Sequence, residues 1–118
     1  MIDDHMLAKF FDCVNNRDME GMGELFTEES EFYFPKTQPL IGRDRIIRFF
    51  KILFRQYPEL SFRRKGTIIE GQRAAVHWTN KGVNRKGGAY ENEGVTLFEE
   101  KEGMIRYMSD FFKDTEKF

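Results

Sequence analysis

Apolar residues recur at helical spacing in the first half of the chain and at strand spacing in the second. Met6, Leu7, Phe10, Phe11 and Val14 share one face of a helix that Asp3 or Asp4 can cap. "NNRD" ends it, and Asp18 can cap a short second helix carrying Met19, Met22, Leu25 and Phe26. "EFYFP" then reads as a brief strand stopped by Pro35, and "KTQPLIG" as a loop. A third helix runs from Arg43 to Tyr57 and ends before Pro58, because the residue before a proline is driven out of the helical region. Its main stripe is Ile46, Ile47, Phe50, Leu53, Phe54 and Tyr57. Phe49 and Ile52 lie off that stripe, so neighbours touch this helix on several sides.

Four strand segments follow, near 61–70, 73–82, 89–100 and 104–112. "EGQR", "NRKGG" and "EKEG" separate them and supply turn residues at hairpin spacing. Helices followed by an antiparallel meander predict an α+β domain, with the helices laid on one face of a sheet. The other face should then be polar. Yet Ile105, Tyr107 and Phe111 alternate with Met104, Met108 and Phe112 on the last strand, so both faces carry apolar side chains. A greasy outer face predicts a homodimer through the sheet.

Composition narrows the function. A chain of 118 residues makes one domain with a core, spanning 1–118. The net charge of −1 gives no electrostatic footprint for nucleic acid. No apolar run reaches the ~20 residues of a membrane span, and the acidic "MIDDHMLAKFF" is unlike a signal peptide, so a cytoplasmic protein is expected. The single cysteine, Cys13, reads as a buried inert thiol. Thirteen phenylalanines exceed what so small a core needs, which suggests that some line a cavity or an interface. No nucleotide loop, nucleophile elbow or metal-ligand spacing appears, so no cofactor and no metal are expected. What remains is acid/base chemistry without a cofactor, or plain binding.

Asp110, in "MIRYMSDFF", is the acid to consider. If "KEG" is a three-residue turn with Gly103 left-handed, Phe98 pairs with Arg106, Thr96 with Met108, Gly94 with Asp110 and Asn92 with Phe112. Gly94 would then leave open space beside the carboxylate. The competing register sets Glu93 opposite Asp110, two carboxylates that repel. The hairpin across "NRKGG" puts Trp78 and Asn80 on the Asp110 face beside Asn92, and His77 on the other face with Val95 and Ile105. The candidate site is therefore Asp110 as the catalytic acid/base, with Trp78, Asn80, Tyr90, Asn92, Thr96 and Met108 around a small apolar ligand. The plainer readings stand beside it. Asp110 is then a solvated strand end or half of an ion pair with Arg106 or Lys113. Trp78 is core, Asn80 and Asn92 satisfy local backbone, and His77 belongs to an interface.

The segments "NNRDMEGMGELFTEES", "PLIGRDRIIRFFKILFRQYPEL", "GQRAAVHWTNKG", "YENEGVTLF" and "EGMIRYMSDFF", in this order, resemble the SnoaL-like branch of the nuclear transport factor 2 superfamily. The resemblance implies a cone: a curved antiparallel sheet wrapped by three helices around an apolar pocket, often dimeric through the sheet. The superfamily holds polyketide cyclases, ketosteroid isomerases and hydrolases as well as non-catalytic binding proteins, so fold does not fix function. Asp110 falls on the acid that polyketide cyclases of this branch use for proton transfer. Where those enzymes have a histidine on the neighbouring strand, this chain has Thr96. The expectation is an isomerase, cyclase or hydrolase acting on a small apolar carbonyl compound, or else a dimeric ligand-binding or protein-interaction module without catalysis.

Overall fold

The computed structural model describes residues 1–117. Helix α1 spans Asp4–Asn16. The Asp3 carboxylate caps it by accepting from the Met6 amide at 3.0 Å, which satisfies one of the donors a helix start leaves free. It ends where Arg17 turns left-handed (φ 59°). Arg17 then fastens this corner: its guanidinium donates to Val14 O, Pro58 O and Leu60 O and lies 4.1 Å over the Phe54 ring. Leu7, Phe10, Phe11, Cys13 and Val14 are buried, at roughly 1.5–3 kcal/mol for each large apolar side chain removed from water. Cys13 is thus the enclosed thiol expected, and burial pushes its pKa up.

Helix α2, Met19–Gly23, is shorter than the sequence pattern suggests. Leu25 and Phe26 leave the helix, and Phe26 opens strand β1, Phe26–Tyr33. Both are buried all the same, as members of the apolar core. The loop expected at "KTQPLIG" holds a two-residue strand, β2 (Leu40–Ile41), and α3 then spans Arg43–Gln56. Strands β3 (Ser61–Glu70), β4 (Arg73–Val83), β5 (Ala89–Lys101) and β6 (Met104–Phe112) form the meander.

The sheet order is β2-β1-β6-β5-β4-β3. Its pairs are antiparallel except β1 with β6, which run parallel. The sequence did not suggest this parallel pair. β1 is bulged between Phe26 and Glu31, and the buried Ser30 hydroxyl pins the bulge. It donates to Ile105 O at 2.6 Å and accepts from the Thr27 amide at 2.9 Å.

The helices and the inner sheet face share an aromatic core. Phe10 meets Phe11, Phe26, Phe50 and Phe98 edge to face, and Phe32 stacks flat on Phe50 at 5.5 Å. Phe34, Phe49, Phe54, Phe62 and Phe112 pack around this core while each keeps part of its surface exposed. Phe111 points the other way and is 55% exposed.

Candidate functional site

The register around Asp110 differs from the one expected. The β5–β6 turn has two central residues, Glu102 and Gly103, both with positive φ (54° and 82°), so Lys101 pairs with Met104. One step on, Glu100 pairs with Ile105 and Glu99 with Tyr107, which leaves Arg106 as an extra residue on β6. Beyond that bulge Phe98 faces Met108, Thr96 faces Asp110, and Gly94 faces Phe112. The pairings of Gly94 with Asp110, Thr96 with Met108 and Asn92 with Phe112 are therefore corrected. The same bulge turns Ile105 inward, fully buried, rather than outward beside His77.

Gly94 serves a different purpose from the one its pairing suggested. A Cβ there would stand 2.3 Å from Phe111 O, 2.7 Å from Phe112 Cβ and 2.8 Å from Trp78 Cζ2. The missing side chain makes room for the Trp78 ring, which crosses over the strand. The indole Nε1 donates to Thr96 Oγ1 at 2.8 Å, and Thr96 Oγ1 donates to Asp110 Oδ1 at 2.6 Å. An indole N–H can only donate and a threonine hydroxyl has one proton to give. The Trp78 bond therefore directs the Thr96 proton onto Asp110. Oδ1 is committed to Thr96, and Oδ2 is the oxygen left for a proton or a ligand.

The surroundings set the chemistry. Trp78 and Thr96 are buried, and Asp110 is half-buried beside them. Burial lifts the Asp110 pKa from 3.8 to about 7, against the opposing pull of the Thr96 hydrogen bond. A carboxyl that is half protonated near neutrality can take a proton and return it. The ion pairs open to Asp110 are used elsewhere: Arg106 binds Glu31 and Lys113 binds Glu93.

The other expected site residues divide by row along the sheet. Met108 lies fully buried opposite Phe98, one row deeper than Asp110. Trp78 and Phe112, with ring centroids 6.3 Å apart, form the next row. Asn80 and Asn92 face each other beyond them, and Tyr90 faces Gly82. The Asn92 amide is occupied by the chain itself. Nδ2 donates to Asp114 O and to the Tyr90 hydroxyl, and Oδ1 accepts from the Asp114 and Glu93 amides. Its role here is to clasp the segment after β6, a long-range pairing with no signature in the local sequence. Burial raises the Tyr90 pKa. His77 lies on the outer face, as expected, bonded to Glu93. The outer face also carries Val95, Leu97 and Tyr107, each half-buried, beside exposed Phe111.

No described helix is long and apolar enough to cross a membrane, and no group of three or more His, Cys, Asp or Glu among the described residues is arranged to hold a metal.

A family model described as a SnoaL-like domain matches residues 7–108. No curated protein matches the chain. Among solved structures, a nuclear transport factor 2-like protein of unknown function from Burkholderia pseudomallei K96243 superposes with a TM-score of 0.88 at 17% identity, covering 96% of this chain and 92% of that one. A candidate SnoaL-like polyketide cyclase from Jannaschia sp. CCS1 gives 0.83 at 22% identity, over 92% and 83% of the two chains. A protein with a ketosteroid isomerase-like fold from Catenulispora acidiphila, in complex with trimethylamine, gives 0.83 at 11% identity over 90% and 83%. At these identities the likeness is one of fold.

Proposed function

Since this chain belongs to the SnoaL-like domain family, whose fold serves both catalysis and binding, we propose that it is a cofactor-independent proton-transfer enzyme of the isomerase, cyclase or hydrolase kind. The observation that carries the reading is the line Trp78–Thr96–Asp110, which holds a half-buried carboxyl at a pKa of about 7 with one oxygen uncommitted among the described residues. The ligand is a small apolar molecule with a carbonyl group. Partly exposed rings of Phe34, Phe49, Phe54, Phe62 and Phe112 would wall it between α3 and the sheet.

In this reading Asp110 removes a proton next to the carbonyl and delivers it to another atom of the same molecule. A positioned acid/base of this kind contributes about 10²–10⁴-fold. Thr96 and Trp78 do not touch the reacting atoms; they fix which carboxylate oxygen does. The outer face, with Val95, Leu97, Tyr107 and Phe111, would close against a second copy of the chain, and the protein would work in the cytoplasm.

The decisive experiment is Asp110→Asn, which keeps the shape and a partner for Thr96. Turnover of a panel of apolar carbonyl compounds should disappear, while the melting temperature at neutral pH should not fall below that of the wild type, because the amide carries no charge to bury. Activity that persists in Asp110→Asn sinks the assignment and leaves a binding module.

A further inference from the structure

Asp110 lacks a counter-ion. Among the described residues no cation pairs with it, and the nearest basic residues in sequence, Arg106 and Lys113, bind Glu31 and Glu93. Burial and the Thr96 hydrogen bond govern its ionisation, with no contribution from a charged neighbour. Its Oδ2 is also open. The buried side-chain atoms sealed without a partner belong to Asn80 and Glu100. Asp110 Oδ2 is not among them, so something at least as large as water can reach it.

The rings beside this oxygen form an arc. Phe112 lies two residues along β6 on the same face, about 7 Å away. Phe34 follows Tyr33, the register partner of Ser109, so it leaves β1 beside Asp110. The Phe34 and Phe112 ring centroids are 5.2 Å apart. Phe49 of α3 lies 4.7 Å from Phe34, and Trp78 lies 6.3 Å from Phe112. Phe34, Phe49 and Phe112 are only half-buried. The face of an aromatic ring is negative and attracts cations. A carboxylate beside such rings makes a region of negative potential that the protein leaves unanswered.

The proposed chemistry has a matching gap. Removing a proton next to a carbonyl moves the C–H electron pair onto the carbonyl oxygen, which then needs positive charge or a donor nearby. In the row of Asp110 the sheet supplies Val76 and Thr96, and the Thr96 proton is already given to Asp110. A ligand that brings its own positive charge fills both gaps.

We propose that the ligand carries an alkylated ammonium group on the carbon next to its carbonyl, held between the Asp110 carboxylate and the rings of Phe34 and Phe112. Alkyl groups on the nitrogen suit the rings, because they present an apolar surface that still carries the charge. A primary ammonium has three protons to place, and Asp110 Oδ2 can accept only some of them. The rest of the molecule stays apolar. This ligand is inferred on the reading of the Asp110 line as a ligand site, but its binding requires no turnover.

The test uses two molecules of nearly the same shape, phenacyltrimethylammonium and neopentyl phenyl ketone, which differ in having nitrogen or carbon at the branch. Each is titrated calorimetrically, at a pH where Asp110 is ionised, into the wild type, Asp110→Asn, Phe112→Leu and Glu93→Gln. The wild type should bind the ammonium ketone tighter by roughly tenfold or more. Asp110→Asn should lose most of that preference and Phe112→Leu part of it. Glu93→Gln removes a carboxylate from the outer face, beside His77, and should keep the preference in full. Equal affinities in the wild type, a preference for the neutral ketone, a preference unchanged in Asp110→Asn, or no binding of either molecule overturns the proposal. If a variant fails to fold, the wild-type comparison still decides. Exchange of the methylene hydrogens with deuterium in heavy water, followed by NMR, tests proton transfer separately. A preference without catalysed exchange supports the ammonium site and counts against the proton-transfer reading. Catalysed exchange without a preference does the reverse.

Discussion

Thr96→Val keeps the outline of the side chain and removes its hydroxyl, which makes it the sharpest probe of the Asp110 environment. In the wild type, burial lifts the carboxyl to about 7 and the Thr96 hydrogen bond restrains it. A hydrogen bond to an ionised group is worth ~1.5–3 kcal/mol, which is roughly one to two pKa units. Without it, Asp110 should titrate roughly one to two units above the wild type. The variant also strands the buried Trp78 Nε1, whose acceptor is Thr96, at about 1–3 kcal/mol of stability. Thr96→Ser should restore both effects.

The sign of the pH dependence follows from the raised pKa. The unfolded chain releases this proton near the ordinary 3.8 and the folded chain near 7. Stability from this group is complete below the first value, falls as pH rises between the two, and is level above the second. The fall is on the order of 4 kcal/mol as a ceiling, reduced because the residue keeps some exposure. Thr96→Val should carry the fall to higher pH. Titration of the Asp110 carboxyl carbon by NMR in labelled protein measures the pKa directly, and urea unfolding at several pH values gives the linked stability. A wild-type Asp110 that titrates near 4, or a valine variant that titrates at or below the wild type, would refute the reasoning.

Three further outcomes can be checked. Gly94→Ala should cost about 1–3 kcal/mol or more in urea unfolding, since its Cβ would meet the Phe111 carbonyl at 2.3 Å. Ser30→Ala should cost about 1–3 kcal/mol, because the Thr27 amide loses its acceptor and the Ile105 carbonyl loses its donor. Phe111→Glu should turn a dimer into a monomer in sedimentation experiments while leaving the melting of the protomer little changed. A monomeric wild type would instead remove the outer-face interface.

The helices and the meander were legible because each is a local periodicity reinforced by local caps: Asp3 and Asp18 hold helix starts, and Pro58 follows the end of α3. Asp110 and Trp78 were legible as members of one face. Their relation was not. It depends on the two-residue turn at Glu102–Gly103, which shifts the register by one step, and on the Arg106 bulge, which adds another and reaches a distant strand. The Arg106 guanidinium reaches Glu29 O and Glu31 on β1, a strand about 75 residues earlier whose parallel pairing leaves no mark in the sequence of β6. A turn read from "KEG" alone cannot register a shift imposed by the strand on the other side. The bonds from Asn92 to the Asp114 backbone were not legible for the same reason, although a backbone role for Asn92 was one of the two readings of the sequence.

The parallel pairing of β1 with β6 also orders events in time. Ile105 donates its amide to Leu25 O, and Phe26 and Ile105 are register partners, so the early strand completes its ladder only against the last one. Closing a loop of that length is slow, and contacts so far apart in sequence are entropically late. During synthesis, β1 and the aromatic faces of α1 and α3 have no finished surface to settle on until β6 emerges. Asp110 sits on that strand, so the segment that seals the sheet is also the one that brings the carboxyl to Thr96. A ribosome-bound intermediate lacking β6 should expose Phe26 and Phe32, bind holdase chaperones and be open to proteolysis, and both properties should vanish once β6 docks.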